Sequence, residues 1–412
     1  MSIFNGESLR AEIYGTSRGE KIGVKISGLN GFSFDENDLK KFLKRRCPNG
    51  EIYSTTRRET DEPIFLNGIS TDDETDGKNL GKSGGKTVKI NGEIVCEIYN
   101  ENAAELRGKD DEFYGLPRPS HADYVRYATT GELDFSGGGE FSGRLTAPFA
   151  VFGGICKQIL ENEFGVKITA YLTRVGEVTG GDYYDYYKNG EKRLTNEEIS
   201  APNAEIRGKF PVFSNADKND DFSALSNADK NDDFPALTNA DKMIEEIRRA
   251  SEIGDSVGAT VQCVVSGLPI GLGGSLFGGT EGKIASVVYA IPAVKAVEFG
   301  LGSRFSESFG SAVNDGLRYD ADGKIRFLTN YSGGINGGVT NGANVVFSAS
   351  FRPTPTISKK QKTVDLINEK NVEIAFKGRN DSCVAVRAVP VVEAAAAIAV
   401  LDELLAVKKY ED

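Results

Sequence analysis

A single histidine occurs in 412 residues, and it opens a stretch rich in glycine. HADYVRYATTGELDFSGGGEFSGR, residues 121–144, begins at His121 and closes on three consecutive glycines, a Ser-Gly pair and Arg144. An imidazole titrates near neutral pH, so a lone one beside such a turn is suited to moving a proton. Cations gather earlier, in KKFLKRRCPNG (40–50) and TTRRE (55–59). Such a cluster can hold a strongly anionic substrate even in an acidic protein; the competing reading is a solvated helix face. SGGINGGVTNG (332–342) is dense in glycine, which lets a planar ligand approach the main chain, or simply makes a mobile loop. GLGGSL (271–276) fails the GxGxxG dinucleotide pattern at its last position, and no GxxxxGK[ST] phosphate loop occurs.

The composition narrows the classes. A formal net charge of −11 disfavours a nucleic-acid partner, which calls for a basic face. No apolar run reaches the length of a membrane span, and MSIFNGESLR has neither the basic nor the apolar region of a secretory signal, so no membrane partner is expected. Cys47, Cys96, Cys156, Cys263 and Cys383 lie far apart with no CxxC pair, which argues against a disulfide framework or a metal site and points to a reduced cytoplasm.

Elements must position these residues. LRAEIYG (9–15) and KIGVKISGL (21–29) alternate as strands, and DENDLKKFLKRRC (35–47) is a helix with acidic residues in its first turn and basic ones in its last. Residues 69–86 are polar and Gly-rich, hence a surface loop, and TVKINGEIVCEIYN (87–100) is expected to be a hairpin turning at Asn91-Gly92. TAPFAVFGGICKQILENEFG (146–165) is a buried helix ending at glycine, VKITAYLTRVGEV (166–178) a strand, and VPVVEAAAAIAVLDELLAVKK (389–409) a long helix. The mixture lacks steady βαβ alternation, so the class is α+β. NADK recurs at 215, 227 and 239, a tandem-repeat insertion around 213–238 whose third copy enters the helix MIEEIRRASEIGD. Asp217, Asn219 and Asp221 match the start of a calcium loop, but Phe222 and Ala228 stand where its glycine and glutamate belong, so calcium is not expected.

Seven stretches occur in an order that resembles chorismate synthase across nearly the whole chain: RRCPNGEIYSTTRRETDEP (45–63), RPSHADYVRY (118–127), GGGEFSGRLTAP (137–148), EIGDSVGATVQCVVSGLPIGLG (252–273), SGGINGGVTNG (332–342), FRPTPTI (351–357) and GRNDSCVAVRAVPVVEA (378–394). The resemblance implies a single domain over 1–412, a β-α-β sandwich with helices packed between antiparallel sheets, assembled as a homotetramer. It implies a carbon–oxygen lyase of the shikimate pathway, serving aromatic amino acid biosynthesis. The reaction is the anti-1,4 elimination of phosphate from 5-enolpyruvylshikimate 3-phosphate, using reduced FMN, with NADPH a candidate reductant. That substrate carries a phosphate and two carboxylates, which the planar fork of arginine suits. By motif match the substrate-binding residues are Ser17, Arg45, Arg46, Arg118, Ser142, Arg144 and Arg379. The flavin-contact positions are Glu140, Phe141, Ser142, Ala293, Gly337, Arg352, Pro353, Thr354, Pro355, Thr356 and Arg379. His121 is implied as proton donor at the flavin and Asp381 as the base that takes a proton back.

The match has departures. The family's Gly-Glu-Ser-His-Gly signature falls on GTSRG (15–19), not on the earlier GES (6–8), so Arg18 takes the place of a catalytic histidine. Ile52 and Glu140 stand where arginine or another basic residue is usual, and Asn380 stands for a histidine beside Asp381. Arginine can stabilise a departing phosphate but cannot exchange a proton at neutral pH. The alternative is therefore a catalytically impaired homologue that binds flavin or an anionic ligand without efficient turnover.

Overall fold

The computed structural model describes residues 1–48, 59–71, 87–101, 114–135, 137–184, 239–321, 323–376 and 381–411. Two antiparallel sheets flank a helical layer. The first holds β1 (Ser2–Asn5), β2 (Arg10–Gly15), β3 (Lys21–Ser27), β4 (Ser33–Asp35), β5 (Ile64–Thr71) and β6 (Thr87–Tyr99), in the order β1-β2-β3-β6-β4 with β5 also on β6. The second holds β7 (Lys167–Val175), β8 (Val178–Thr179), β9 (Ala259–Ser266), β10 (Val294–Phe299) and β15 (Val345–Phe351), in the order β10-β15-β9-β7-β8. Three two-stranded ribbons complete the set: β11 (Leu317–Tyr319) with β12 (Ile325–Phe327), β13 (Ile335–Asn336) with β14 (Val339–Thr340), and β16 (Gln361–Asp365) with β17 (Lys370–Ile374).

The helices are α1 (Glu36–Lys44), α2 (Asp123–Thr130), α3 (Thr146–Phe164), α4 (Ala240–Glu252), α5 (Thr280–Tyr289) and α6 (Ala385–Glu411), with a single helical turn at Gly310–Val313. Helix α3 packs on strands of the first sheet, α6 packs on β7 and β9 of the second, and the two helices pack on each other. This is the expected α+β sandwich. Both helices are apolar around most of their circumference because both faces are covered. The run Ala394–Ala397 keeps α6 thin, and at Gly153 of α3 an added Cβ would collide with Ala394, so the backbones meet closely only because these residues are small.

Few polar side chains interrupt α6, and four of them have partners from different parts of the fold. Arg387 Nε donates to Arg46 O (2.9 Å). Glu393 receives Arg45 through two bonds (2.8 and 2.9 Å), Lys157, and the Ala170 N–H (3.1 Å). Asp402 accepts the N–H groups of Glu7, Ser8 and Leu9 at 2.7–2.9 Å. Glu403 accepts from Thr280 Oγ1 (3.1 Å) and pairs with Lys283 (3.1 Å). A buried carboxylate without such partners would be costly, so each of these pairings also fixes the register of the helix.

Two expectations are corrected. The run 87–100 is not a hairpin: β6 is one 13-residue strand, and neither Asn91 nor Gly92 takes the positive φ that a two-residue turn needs. The reason is tertiary. Residues 94–99 pair with β3 and 87–89 with β4, so the run lies between strands already in place, and Asn91-Gly92 falls in an irregularity where the β5–β6 register jumps from Asn67↔Val95 to Ile69↔Ile90. For the same reason Ile69, Ser70 and Thr71 belong to β5 rather than to the polar loop; the rest of that loop lies outside the described residues. A two-residue hairpin appears instead in 332–342, where Gly337 (φ 62°) and Gly338 (φ 86°) join β13 to β14. The repeat insertion also lies outside the described residues, whereas its third copy leads into α4 as expected. All five cysteines are buried and free of disulfides.

Burial pushes the Glu393 carboxyl upward, but Arg45 and Lys157 outweigh it and bring its pKa from 4.5 down to about 2. A depressed carboxylate contributes stability above its unfolded value and loses it as pH falls from 4.5 toward 2. Glu393→Gln is therefore expected to cost about 3–5 kcal/mol at neutral pH by stranding two buried cations. It should also flatten the fall in stability across that acid window. Urea unfolding at pH 7 and through that window checks this, and a neutral-pH loss below about 1 kcal/mol, the value of a surface pair, would contradict it.

Candidate active site

Asp61 is a buried carboxylate gripped by two arginines. One oxygen receives Arg46 Nη1 and the other Arg144 Nη1. Burial would raise its pKa, but Arg46 and Arg144 outweigh this and hold the carboxyl below its ordinary value. Each arginine is also fixed elsewhere. Arg46 Nε donates to Thr146 Oγ1 (2.9 Å) and its Nη2 to Gly143 O (3.2 Å). Arg144 Nε donates to Asn100 Oδ1 (2.8 Å), and its Nη1 also pairs with Glu59 (2.9 Å).

From this centre the network runs both ways. Asn100 Nδ2 donates to Gly19 O (2.8 Å) and Thr16 O (3.3 Å), holding the β2–β3 loop that carries Ser17 and Arg18. The Ser17 N–H reaches Gly139 O (3.4 Å), docking that loop on the glycine turn. Arg18 lies against Gly137 and pairs with Asp134 (2.5 Å) and Glu132 (3.4 Å). On the other side Arg387 donates to Arg46 O and, through Nη1, to Asp381 Oδ2 (2.9 Å). The next residue, Ser382, accepts from the Val257 N–H (2.9 Å), and Ser256 Oγ donates to Thr354 O (2.7 Å). Asp381 thus adjoins the 352–356 stretch.

His121 begins a second arrangement. Its Nδ1 lies 3.0 Å from Asp123 Oδ1 and 3.3 Å from Arg118 Nη2, contacts that fix the ring at that nitrogen and leave Nε2 for transfer. Arg118 grips the same carboxylate through Nε (2.7 Å) and Nη2 (2.8 Å). Burial would raise the Asp123 pKa, but hydrogen bonds from Arg118 and His121 hold it well below the carboxylate range. Gly115 N–H to Leu133 O (2.9 Å) joins the segment before His121 to the run ending at Asp134, the partner of Arg18.

Among the residues predicted from sequence, Ser17, Arg18, Arg46, Glu140, Phe141, Ser142, Arg144 and Asp381 fall on this connected framework. Ser142 Oγ caps the turn by accepting from the Arg144 N–H (3.2 Å). Arg45 faces Glu393 instead, and Arg118 is engaged with Asp123. Ala293 (φ 76°) accepts from the Arg352 N–H (3.0 Å) beyond the C-terminal end of α5. Gly338, next to Gly337, accepts from the Thr280 N–H at the N-terminal end of α5, so Gly337 and Ala293 lie toward opposite ends of that helix. Arg379, Asn380 and Ile52 lie outside the described residues. The earlier GES, 6–8, is capped by Asp402, some 22 Å along α6 from Arg387, and so stands apart from this framework. Asp61, Asn100, Asp134 and Arg387 were missed as functional residues; each stands in or near a quoted motif, but only its partner reveals its role.

Comparison with known proteins settles the family. The family model for chorismate synthase matches residues 9–405. The chain belongs to the chorismate synthase family. It is similar to the chorismate synthase of Methanocaldococcus jannaschii, at 34% identity over 403 residues covering 97% of this chain and 95% of that one. It is also similar to the chorismate synthase of Thermococcus kodakarensis, at 36% identity over 414 residues covering 98% of both. A solved structure, "Crystal Structure of Chorismate Synthase", shares the fold with a TM-score of 0.63 at 22% identity, covering 98% of this chain and 93% of that one. In this chorismate synthase homologue the glycine turn, the Arg18 loop and Asp381 are linked through buried side chains.

Because Asp61 bridges two buried guanidinium groups, Asp61→Asn is expected to lower stability by about 3–5 kcal/mol. An unfolding free energy from urea titration within about 0.5 kcal/mol of the parent's, the usual range for surface changes, would contradict the placement.

Proposed function

We propose that this chain is a working chorismate synthase, eliminating phosphate from 5-enolpyruvylshikimate 3-phosphate with reduced FMN, with NADPH as the candidate source of electrons. The observation that carries the proposal is the buried connection from the Arg18 loop through Arg144, Asp61 and Arg46 to Asp381, in a chain of this family. Arg18, partly exposed, is the cation of this framework that a phosphate can reach by displacing Asp134 and Glu132, while Arg46 and Arg144, engaged by Asp61, Glu59 and neighbouring oxygens, hold the loops around it in place. Arg18 acts by charge, stabilising the departing phosphate. No feature of the described site favours the impaired homologue, and the glycine turn and two carboxylates keep Arg18 in the signature loop.

The residues fit a flavin at the 352–356 stretch. Thr354 Oγ1 is buried without a hydrogen-bond partner, an orphan that a polar ligand atom would satisfy, and it lies beside Asp381 through Ser256 and Ser382. Arg352, Thr354 and Thr356, with Ser142, would hold the cofactor. When bound, it supplies transient electron density to the breaking C–O bond. His121, its ring held at Nδ1 by Asp123, would donate from Nε2 in its imidazolium form. Asp381, held through Oδ2 by Arg387, takes one back.

Homotetramer formation is supported by exposed apolar surface. Tyr319 and Ile325 face each other across the β11–β12 ribbon with Leu317 nearby, all more than half exposed, and Phe309 is 85% exposed. A reduced cytoplasm suits the five free thiols. No helix among the described residues is long and apolar enough to cross a membrane.

Anaerobic phosphate release with chemically reduced FMN tests the proposal. The parent should turn over, and His121→Ala and Asp381→Ala should each lower kcat by about 10²–10⁴. A silent parent rescued by Arg18→His would instead establish the impaired homologue.

A further inference from the structure

Arg126 was not singled out in the sequence, yet it is among the most deeply buried arginines described, at 3% exposure. It projects from α2 onto the glycine turn. Its Nη2 donates to Gly138 O (3.0 Å), and an added Cβ on Gly139 would collide with the same nitrogen, so the turn is shaped around the guanidinium. The Phe141 ring lies 5.8 Å from its Cζ. Two of its nitrogens, Nε and Nη1, are buried with no hydrogen-bond partner. Two carboxylates meet it at the outer edge of ion-pair range: Nη2 donates to Glu140 (3.5 Å), and Glu132 lies 3.6 Å from Nη1 without a hydrogen bond. A buried cation with unspent donors is costly unless an anion completes it.

Glu140 stands where the resemblance calls for a basic residue, and Arg126 brings a cation to the same turn from a different element. The Glu140 side chain is 46% exposed, so it can swing away from Arg126 into solvent. We infer that Arg126 is a ligand-binding residue of this site, taking an oxygen of a phosphate or carboxylate group in place of Glu140. The inference rests on the proposed function, because the ligand is either FMN or 5-enolpyruvylshikimate 3-phosphate. Glu140 is then an internal anion that the ligand displaces, and its removal should help binding where removal of Arg126 hurts it.

The test is direct binding, without turnover: fluorescence titration with oxidised FMN and calorimetric titration with 5-enolpyruvylshikimate 3-phosphate. Arg126→Gln is expected to weaken one ligand by about ten- to a hundredfold, the loss of one charge-assisted contact. Glu140→Gln is expected to tighten the same ligand. Weakening confined to FMN assigns the flavin phosphate to Arg126, and weakening confined to the substrate assigns a substrate anion. Should Arg126→Gln fail to fold, Arg126→Lys supplies the same contrast with Glu140→Gln. Unchanged affinities, or both variants shifting affinity in the same direction, would overturn the inference and leave Arg126 a structural tie. A parent that binds neither ligand would refute the proposed function itself, and the inference with it.

Discussion

The structure turns on one carboxylate held between two guanidinium groups. Asp61 bridges Arg46 and Arg144 where water does not reach, Glu59 supplies the second negative charge on Arg144, and each arginine then spends its remaining donors on a different part of the chain. Removing charges from water costs several kcal/mol per ion, so such a cluster is tolerated only when every partner is in place. That requirement turns a local ion pair into a constraint on the whole site. The signature loop, the glycine turn and the start of α6 must all arrive together for the cluster to be satisfied.

Helix α6 extends the same logic across the fold. Its apolar surface fills the space between the sheets, while Arg387, Glu393, Asp402 and Glu403 each engage a separate element. Hydrophobic burial drives the two layers together without direction, and the polar contacts select one register from the many that a run of alanines would allow. The site sits at the N-terminal end of this helix, where Arg387 joins Arg46 to Asp381. Stability and chemistry therefore share a scaffold, with catalytic candidates standing on residues whose first task is to hold the layers.

Local pattern made much of this legible. The apolar run 146–165 and its terminal glycine match α3, which ends at Phe164 with Gly165 in the left-handed conformation. Motif order carried the family, and the neighbourhood of Ser142 and Arg144 followed from it. Long-range pairing was out of reach. Asp61 and Arg144 are 83 residues apart, and Arg46 and Arg387 are 341 apart, so no local spacing links them. Asn91-Gly92 failed as a turn because strands on both sides had already claimed the flanking residues. Arg126 carries no signal in the sequence, and only the turn packed against it shows that two donors lack partners.

The central claim is that the signature loop and the Asp381 end of the site are energetically coupled through the buried ionic chain. A double-mutant cycle between Asn100→Ala and Arg387→Lys, read by urea unfolding, tests it most directly, because the two residues touch opposite ends of that chain. The account predicts a coupling of about 0.5–3 kcal/mol, as found for residues in one network. Additivity within about 0.3 kcal/mol, the behaviour of independent sites, would contradict it.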